Sequence, residues 1–304
     1  MSRILCPSEM TNIDDVDWDD TRCANCGCDL PEEEPDDPAA GDLWDAGFCS
    51  EPCRKCQMNR NGLVLWEGPS AINGDPIVVV AQGITRKSKN DKIGERTIQV
   101  WYLPRDVAPY VAVKTGADEA VCGDCIHRPS KGDTCYVVTY QAARAVWQAY
   151  QDGSYPRWDG STLPFADRVV RFGAWGDPAS VPEGTFAAIR DVARRHLGYT
   201  HQWKHERFSH LRSWCMASVD SMPEYLRARS AGWRPFRVRE EGEELHEHER
   251  MCPAADESPV SDAMDCGKCG GCDGLARGAK RPSYAIVVHG RSASRFNAHQ
   301  QETA

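Results

Sequence analysis

The sequence predicts an α/β fold, an incomplete or irregular (β/α) barrel-like body behind a small cysteine-bound N-terminal module. Three observations predict it. Short apolar strand patterns alternate with helical patterns from residue 168 to 290, which is the signature of a mostly parallel sheet. An unbroken apolar run, IVVVAQG at 77–83, suits a strand buried on both faces. Fifteen cysteines fall mainly into three short-spaced clusters, too many and too regular for a chain stabilised by its core alone.

Taken in order, residues 1–20 are polar, acidic and aperiodic, so a disordered acidic tail is expected there. Residues 21–60 surround the loop PEEEPDDPAAGD, which has nothing to bury, so metal would have to organise this module. Residues 61–290 form the expected metal-binding body. In it, 77–83 and RTIQVWYLP at 96–104 read as paired strands, joined by a lysine-rich loop. Residues 140–153 read as a helix ending at Gly153. RVVRFGAWGD at 168–177 reads as a strand. Residues 182–198 read as a helix with Pro182 at its start and Gly198 past its end. Strands are then expected at 199–203, 215–221, 235–240 and 283–290, with a helix at 223–232. Residues 291–304 read as a frayed tail.

The formal net charge is −9, and the acidity is local: residues 1–60 carry 15 acids and 5 bases, net −10, so the remainder is near +1. No apolar run approaches the ~20 residues of a membrane helix. The first residues lack the apolar stretch of a secretory signal. No membrane association and a reducing, cytoplasmic setting are therefore expected. There, cysteines two or three residues apart are metal ligands more often than disulfides. Basic stretches at Arg86, Lys87, Lys89 and Lys92, and at Arg190, Arg194, Arg195, Lys204, Arg207 and Arg212, are either solvated faces or a phosphate-facing groove.

The first cluster pairs Cys23 and Cys26 with Cys49 and Cys53, with Cys28 and Cys56 as substitutes or bystanders. A knuckle pair and a helix-start pair can close a four-thiolate zinc site. The CANCG…FCSEPCRKC pattern resembles treble-clef zinc fingers, a resemblance of about 35 residues that implies a structural site. The second cluster has three thiols, Cys122, Cys125 and Cys135, and so leaves one coordination position for a histidine, Cys215, water or substrate. His127 lies beside it. The third cluster joins Cys252 to Cys266, Cys269 and Cys272. Its Cys-x2-Cys-x2-Cys run fits an iron–sulfur cluster or a four-thiolate zinc site equally well.

Function in such a body should sit where strands end. Asp177, His201, Asp220 and His289 occupy those ends and are the candidate catalytic residues for acid–base work. Each aspartate also precedes an expected helix, so capping competes with a site role. Trp175, Trp203 and Trp233 could stack bases or fill the core.

The ordered set SKNDKIGERTIQVWYLP, TGADEAVCGDC…TCYV, VRFGAWGDP, YTHQW, CMASVDS, CP…CGKCGGCDG and AIVVHG resembles an uncharacterised phage-encoded family over about residues 63–290. The resemblance implies a phage or prophage origin, and so the cytoplasm of the infected or lysogenic host, but no reaction. In layout the chain is also similar to radical S-adenosylmethionine enzymes and queuine-type guanine transglycosylases, without an intact motif of either. The expected function is a metal-dependent enzyme acting on nucleic acid or nucleotides, with DNA base modification as one form of it. The expected cofactors are zinc and an iron–sulfur cluster. The alternative is a non-catalytic zinc-dependent protein that binds nucleic acid or a partner in phage replication. Walker, dinucleotide, nucleophile-elbow and His-Glu-x-x-His motifs are absent.

Overall fold

The computed structural model describes residues 61–87, 92–278, 280–289 and 293–296. The expected acidic tail, the zinc module with Cys23, Cys26, Cys49 and Cys53, Lys89 and most of the C-terminal tail lie outside the described residues.

The chain forms a mixed α/β structure around a nine-stranded, mostly parallel sheet. β1 (Gly62–Pro69) and β2 (Pro76–Gln82) form a hairpin, and β3 (Thr97–Pro104) adds antiparallel to it. The hairpin closes through Asn73 and Gly74, where Gly74 takes φ +86° and Asn73 Oδ1 accepts from the Asp75 amide. β2 lies between two strands, so Ile77 to Ala81 are all buried, as the unbroken apolar run requires.

From β3 onward every pairing is parallel. β4 (Val169–Trp175), β5 (Arg195–Thr200), β6 (Met216–Val219) and β7 (Pro235–Arg239) follow in chain order. β9 (Ser283–Val287) pairs with β7, and β8 (Glu249–Met251) forms the outer edge beside β9. No pairing among the described residues joins β1 to β8, so the sheet is open.

Alternation along β4 divides the two faces. Val170 and Phe172 enter the main core, together with the helical crossovers. Val169 points to the other face, where Leu197, Met216, Tyr284 and Cys272 form a second, smaller cluster. The crossovers are α1 (Pro109–Thr115), α2 (Glu119–Cys122), α3 (Arg144–Gln151), α4 (Ala187–Val192) and α5 (Met222–Ser230), with α6 (Cys266–Cys269) after β8.

Two sequence expectations are corrected. The helix expected over 182–198 is only α4, and Arg195–Thr200 is β5 instead. Gly198 does not end a helix. It lies inside β5, donates to the Cys272 carbonyl at 3.0 Å, and leaves room for Cys215, whose Sγ would stand 2.7 Å from any added Cβ. The strand expected at 199–203 therefore stops at Thr200, and Gln202–Lys204 is a 3-10 turn.

Candidate metal centre

In a parallel sheet all strand C-termini lie along one rim, where side chains leaving neighbouring strands converge. β5 runs into His201 and β6 into Asp220, and these strands are adjacent in parallel register. The His201 Nε2 consequently lies 3.6 Å from Asp220 Oδ2. The β3–β4 crossover carries His127 to the other oxygen, with Nε2 2.9 Å from Asp220 Oδ1. The two imidazoles meet edge to face, 5.2 Å between centroids. Ligand atoms of His127, His201 and Asp220 all lie within 4.8 Å of one another.

The electrostatics make this rim unusual. Asp220 is only 3% exposed, and burial alone would raise its pKa. His127 and His201 outweigh burial and hold the carboxyl far below the usual range, so Asp220 is ionised. Burial would likewise discharge His201, but Cys125 and Asp220 outweigh it and push its pKa well up. His127 is held at both ring nitrogens, with Nε2 against the Asp220 carboxylate and Nδ1 2.5 Å from the Thr134 hydroxyl. Nε2 of His201 is buried, 3.6 Å from Asp220 Oδ2 and with the Cys125 thiol close to the ring.

The three thiols of the second cluster stand around the same imidazole. The Cys125 thiol is beside the His201 ring, and Cys135 is also close enough to feel its charge. Burial raises the Cys122 thiol, with Cys125 and Cys135 adding to it, and pushes Cys135 to about 11. The loop is held by Arg128, a buried guanidinium that donates to both Asp118 oxygens at 2.8 and 2.9 Å and to the carbonyls of Gly116 and Gly123. Gln202 Nε2 donates to the Cys122 carbonyl at 3.1 Å, tying the cluster to the turn after His201.

The two aspartates divide between the two roles the sequence left open. Asp177 caps: Oδ1 accepts from the Ala179 amide at 2.9 Å, and Oδ2 from the His201 amide at 2.8 Å. It positions His201 and is outside the trio. Asp220 does not cap α5, because Ser221 Oγ accepts from the Glu224 amide. His289 is exposed, with its ring 5.7 Å from that of Tyr136, and is outside the trio. Sequence reasoning offered His127 as a ligand to complete the second cysteine cluster, or as a plain loop residue, and not as a partner of Asp220. Nothing local pointed to Arg128, Thr134 or Phe296. Phe296 lies in the expected frayed tail, yet it is buried and stacks on His127 at 6.0 Å.

No protein-family model matches this chain, and neither does any curated protein or solved structure. The site therefore rests on its own chemistry. A divalent ion fits the trio, because two imidazole nitrogens and a carboxylate oxygen form a common donor set that leaves coordination positions open.

The third cluster is separate. Cys252, Cys266, Cys269 and Cys272 line one small cavity on the smaller-core face of the sheet, walled by Leu197, Tyr199 and Tyr284. The eight cysteines in the described residues are all free thiols. The basic stretches are largely engaged within the protein. Lys87 pairs with Glu95, Lys92 with Asp256 and Lys204 with Glu224, while Arg190 covers the Trp214 ring. Trp175, Trp203 and Trp233 are buried in the main core. No helix among the described residues is long and apolar enough to cross a membrane.

Proposed function

We propose that the protein is a metal-dependent enzyme that acts on a nucleotide or nucleic-acid substrate at the rim of a part-barrel sheet. His127, His201 and Asp220 hold the ion. The observation that carries this reading is the convergence of those three side chains, from separate elements, on a buried carboxylate held in its charged form. A buried charge of this kind is costly unless a cation or hydrogen bonds compensate it. The chain-order winding of β3 to β7 supports the barrel-like part of the reading, since such folds keep their chemistry at this rim.

A metal at this place supplies Lewis acidity and lowers the pKa of bound water. The protein supplies the rest. Asp177 fixes the His201 backbone, Thr134 sets the His127 ring, and Phe296 shields it. The substrate class is inferred from an exposed ring next in sequence to the second cysteine cluster. Tyr136, next to Cys135, is 56% exposed and lies against His289, and its hydroxyl accepts from Arg171 at 3.0 Å. An exposed ring beside a guanidinium suits a stacked base and its phosphate.

The test is metal analysis with calorimetry on the purified full chain. His127→Ala and Asp220→Ala should each lose one equivalent of divalent metal, while His289→Ala keeps it. A panel of nucleotides should bind the wild type, and Tyr136→Ala should bind tenfold or more weakly. Retention of that equivalent in both rim variants would sink the proposal.

A further inference from the structure

The strand-end trio leaves the third cysteine cluster without a role. Its four sulfurs come from two places. Cys252 directly follows β8, and its amide donates to the Ala285 carbonyl of β9 at 2.8 Å. Cys266 and Cys269 bracket α6, which Asp265 caps by accepting from the Lys268 amide at 2.8 Å, and Cys272 follows on a glycine-rich turn. Gly271 has no room for a side chain, since a Cβ there would lie 2.6 Å from the Tyr284 ring. The turn is thus pressed onto the sheet with its thiols facing the cavity. Burial raises the Cys252 thiol to about 11 and pushes the Cys272 thiol well up. Four buried thiols around one space, with apolar walls, form a ligand set rather than a polar network.

The spacing of the sulfurs selects the occupant. Around one zinc ion, with Zn–S near 2.3 Å, tetrahedral thiolates stand about 3.8 Å apart. Among the described residues, the ligand group whose atoms all lie within 4.8 Å of one another is the rim trio, and no three sulfurs of this cluster meet that limit. In a four-iron cluster each cysteine binds a different iron, so the thiolates stand farther apart around an inorganic core. The surroundings suit a cluster of negative net charge. The Arg171 guanidinium is close enough to Cys266 to favour its thiolate, and the Tyr199 hydroxyl hydrogen-bonds the Cys272 sulfur. Hydrogen bonds to the sulfurs and nearby charge are the means by which a protein tunes such a centre.

We propose that Cys252, Cys266, Cys269 and Cys272 bind a four-iron, four-sulfide cluster in this cavity. All four irons then carry a protein ligand. No position is open to substrate, so this cluster serves electron transfer or structure and is distinct from the rim ion.

The experiment is anaerobic purification of the full chain, with reconstitution by iron and sulfide where the cluster is incomplete. Iron, zinc and acid-labile sulfide are then measured. About four sulfides per chain are expected, with broad visible absorbance that bleaches on reduction. Cys266→Ala and Cys272→Ala should lose the sulfide, while Asp220→Ala should keep it. Sulfide therefore separates this proposal from the rim reading, whose ion carries none. Because cysteine variants can fail to fold, Tyr199→Phe gives a second reading: sulfide retained, and the reduction midpoint lowered by loss of the hydrogen bond. One zinc per cluster without sulfide after reconstitution, sulfide retained in both cysteine variants, or an unmoved midpoint in Tyr199→Phe would overturn the proposal.

Discussion

Gly123→Ala should uncouple the second cysteine cluster from the strand that carries His201. Gly123 stands between Cys122 and Asp124 with φ 59° and ψ −130°, a conformation that side chains strongly disfavour. An added Cβ would lie 2.5 Å from the carboxamide of Gln202, which is buried and donates to the Cys122 carbonyl. The backbone strain costs about 1–3 kcal/mol. Displacing Gln202 adds about 1–3 kcal/mol for overpacking and the lost buried hydrogen bond, terms that overlap rather than sum. A total of roughly 2–6 kcal/mol is expected, a large share of the ~5–15 kcal/mol that stabilises a typical domain. Gly116→Ala is the control. Its φ is +86°, but nothing lies within 4 Å of an added Cβ, so it should show strain alone, about 1–2 kcal/mol. Urea unfolding of both variants, with metal titration of the folded forms, measures the difference. Equal costs within about 0.5 kcal/mol, with metal affinity unchanged in Gly123→Ala, would refute the coupling of this turn to the site.

Two further predictions concern buried charge. His196 on β5 has a buried Nε2 without a hydrogen bond, and burial lowers its pKa from 6.5 to about 4. The folded state therefore binds this proton less readily than the unfolded state. The stabilisation is complete above pH 6.5 and lost as pH falls toward 4, amounting to about 2 kcal/mol by pH 5. Wild type should lose that much more unfolding free energy than His196→Gln between pH 7 and 5, and parallel losses would contradict the assignment. On β7, Arg237 is fully buried and grips Glu249 through two hydrogen bonds of 2.9 and 2.7 Å. Glu249→Gln should cost about 3–5 kcal/mol by chemical denaturation, because it strands a buried guanidinium. A cost under 1 kcal/mol would mean that water or Glu243 replaces the lost charge.

Strands that are long, apolar and bounded by turn residues were readable in the sequence. Residues 77–83 and 96–104 fall on β2 and β3, and 235–240 falls on β7. β5 was misread because Ala193 to Gly198 continue a helical pattern, and the feature that makes them a strand, Cys215 packed against Gly198, is remote in sequence. β8, with three residues at an edge, offers too little pattern to read. At the site, strand-end position found His201 and Asp220. It equally picked out Asp177, since a capping carboxylate and a site carboxylate look alike until their partners are known. His127 depends on a loop shaped by Arg128 and Asp118, whose buried pairing no periodicity encodes.

The chain-order winding of the sheet also sets a schedule for synthesis. From β3 to β7 each new strand finds its partner already made, so the rim can be built as the chain emerges. The strap from Cys252 to Cys272 emerges later and must reach back. The Cys266 amide donates to the Lys92 carbonyl ahead of β3, and the Cys272 carbonyl accepts from Gly198. Phe296, which covers His127, comes later still. A partly translated chain thus has neither the enclosed thiol cavity nor the shielded imidazole. Both are complete only once Phe296 has joined the fold.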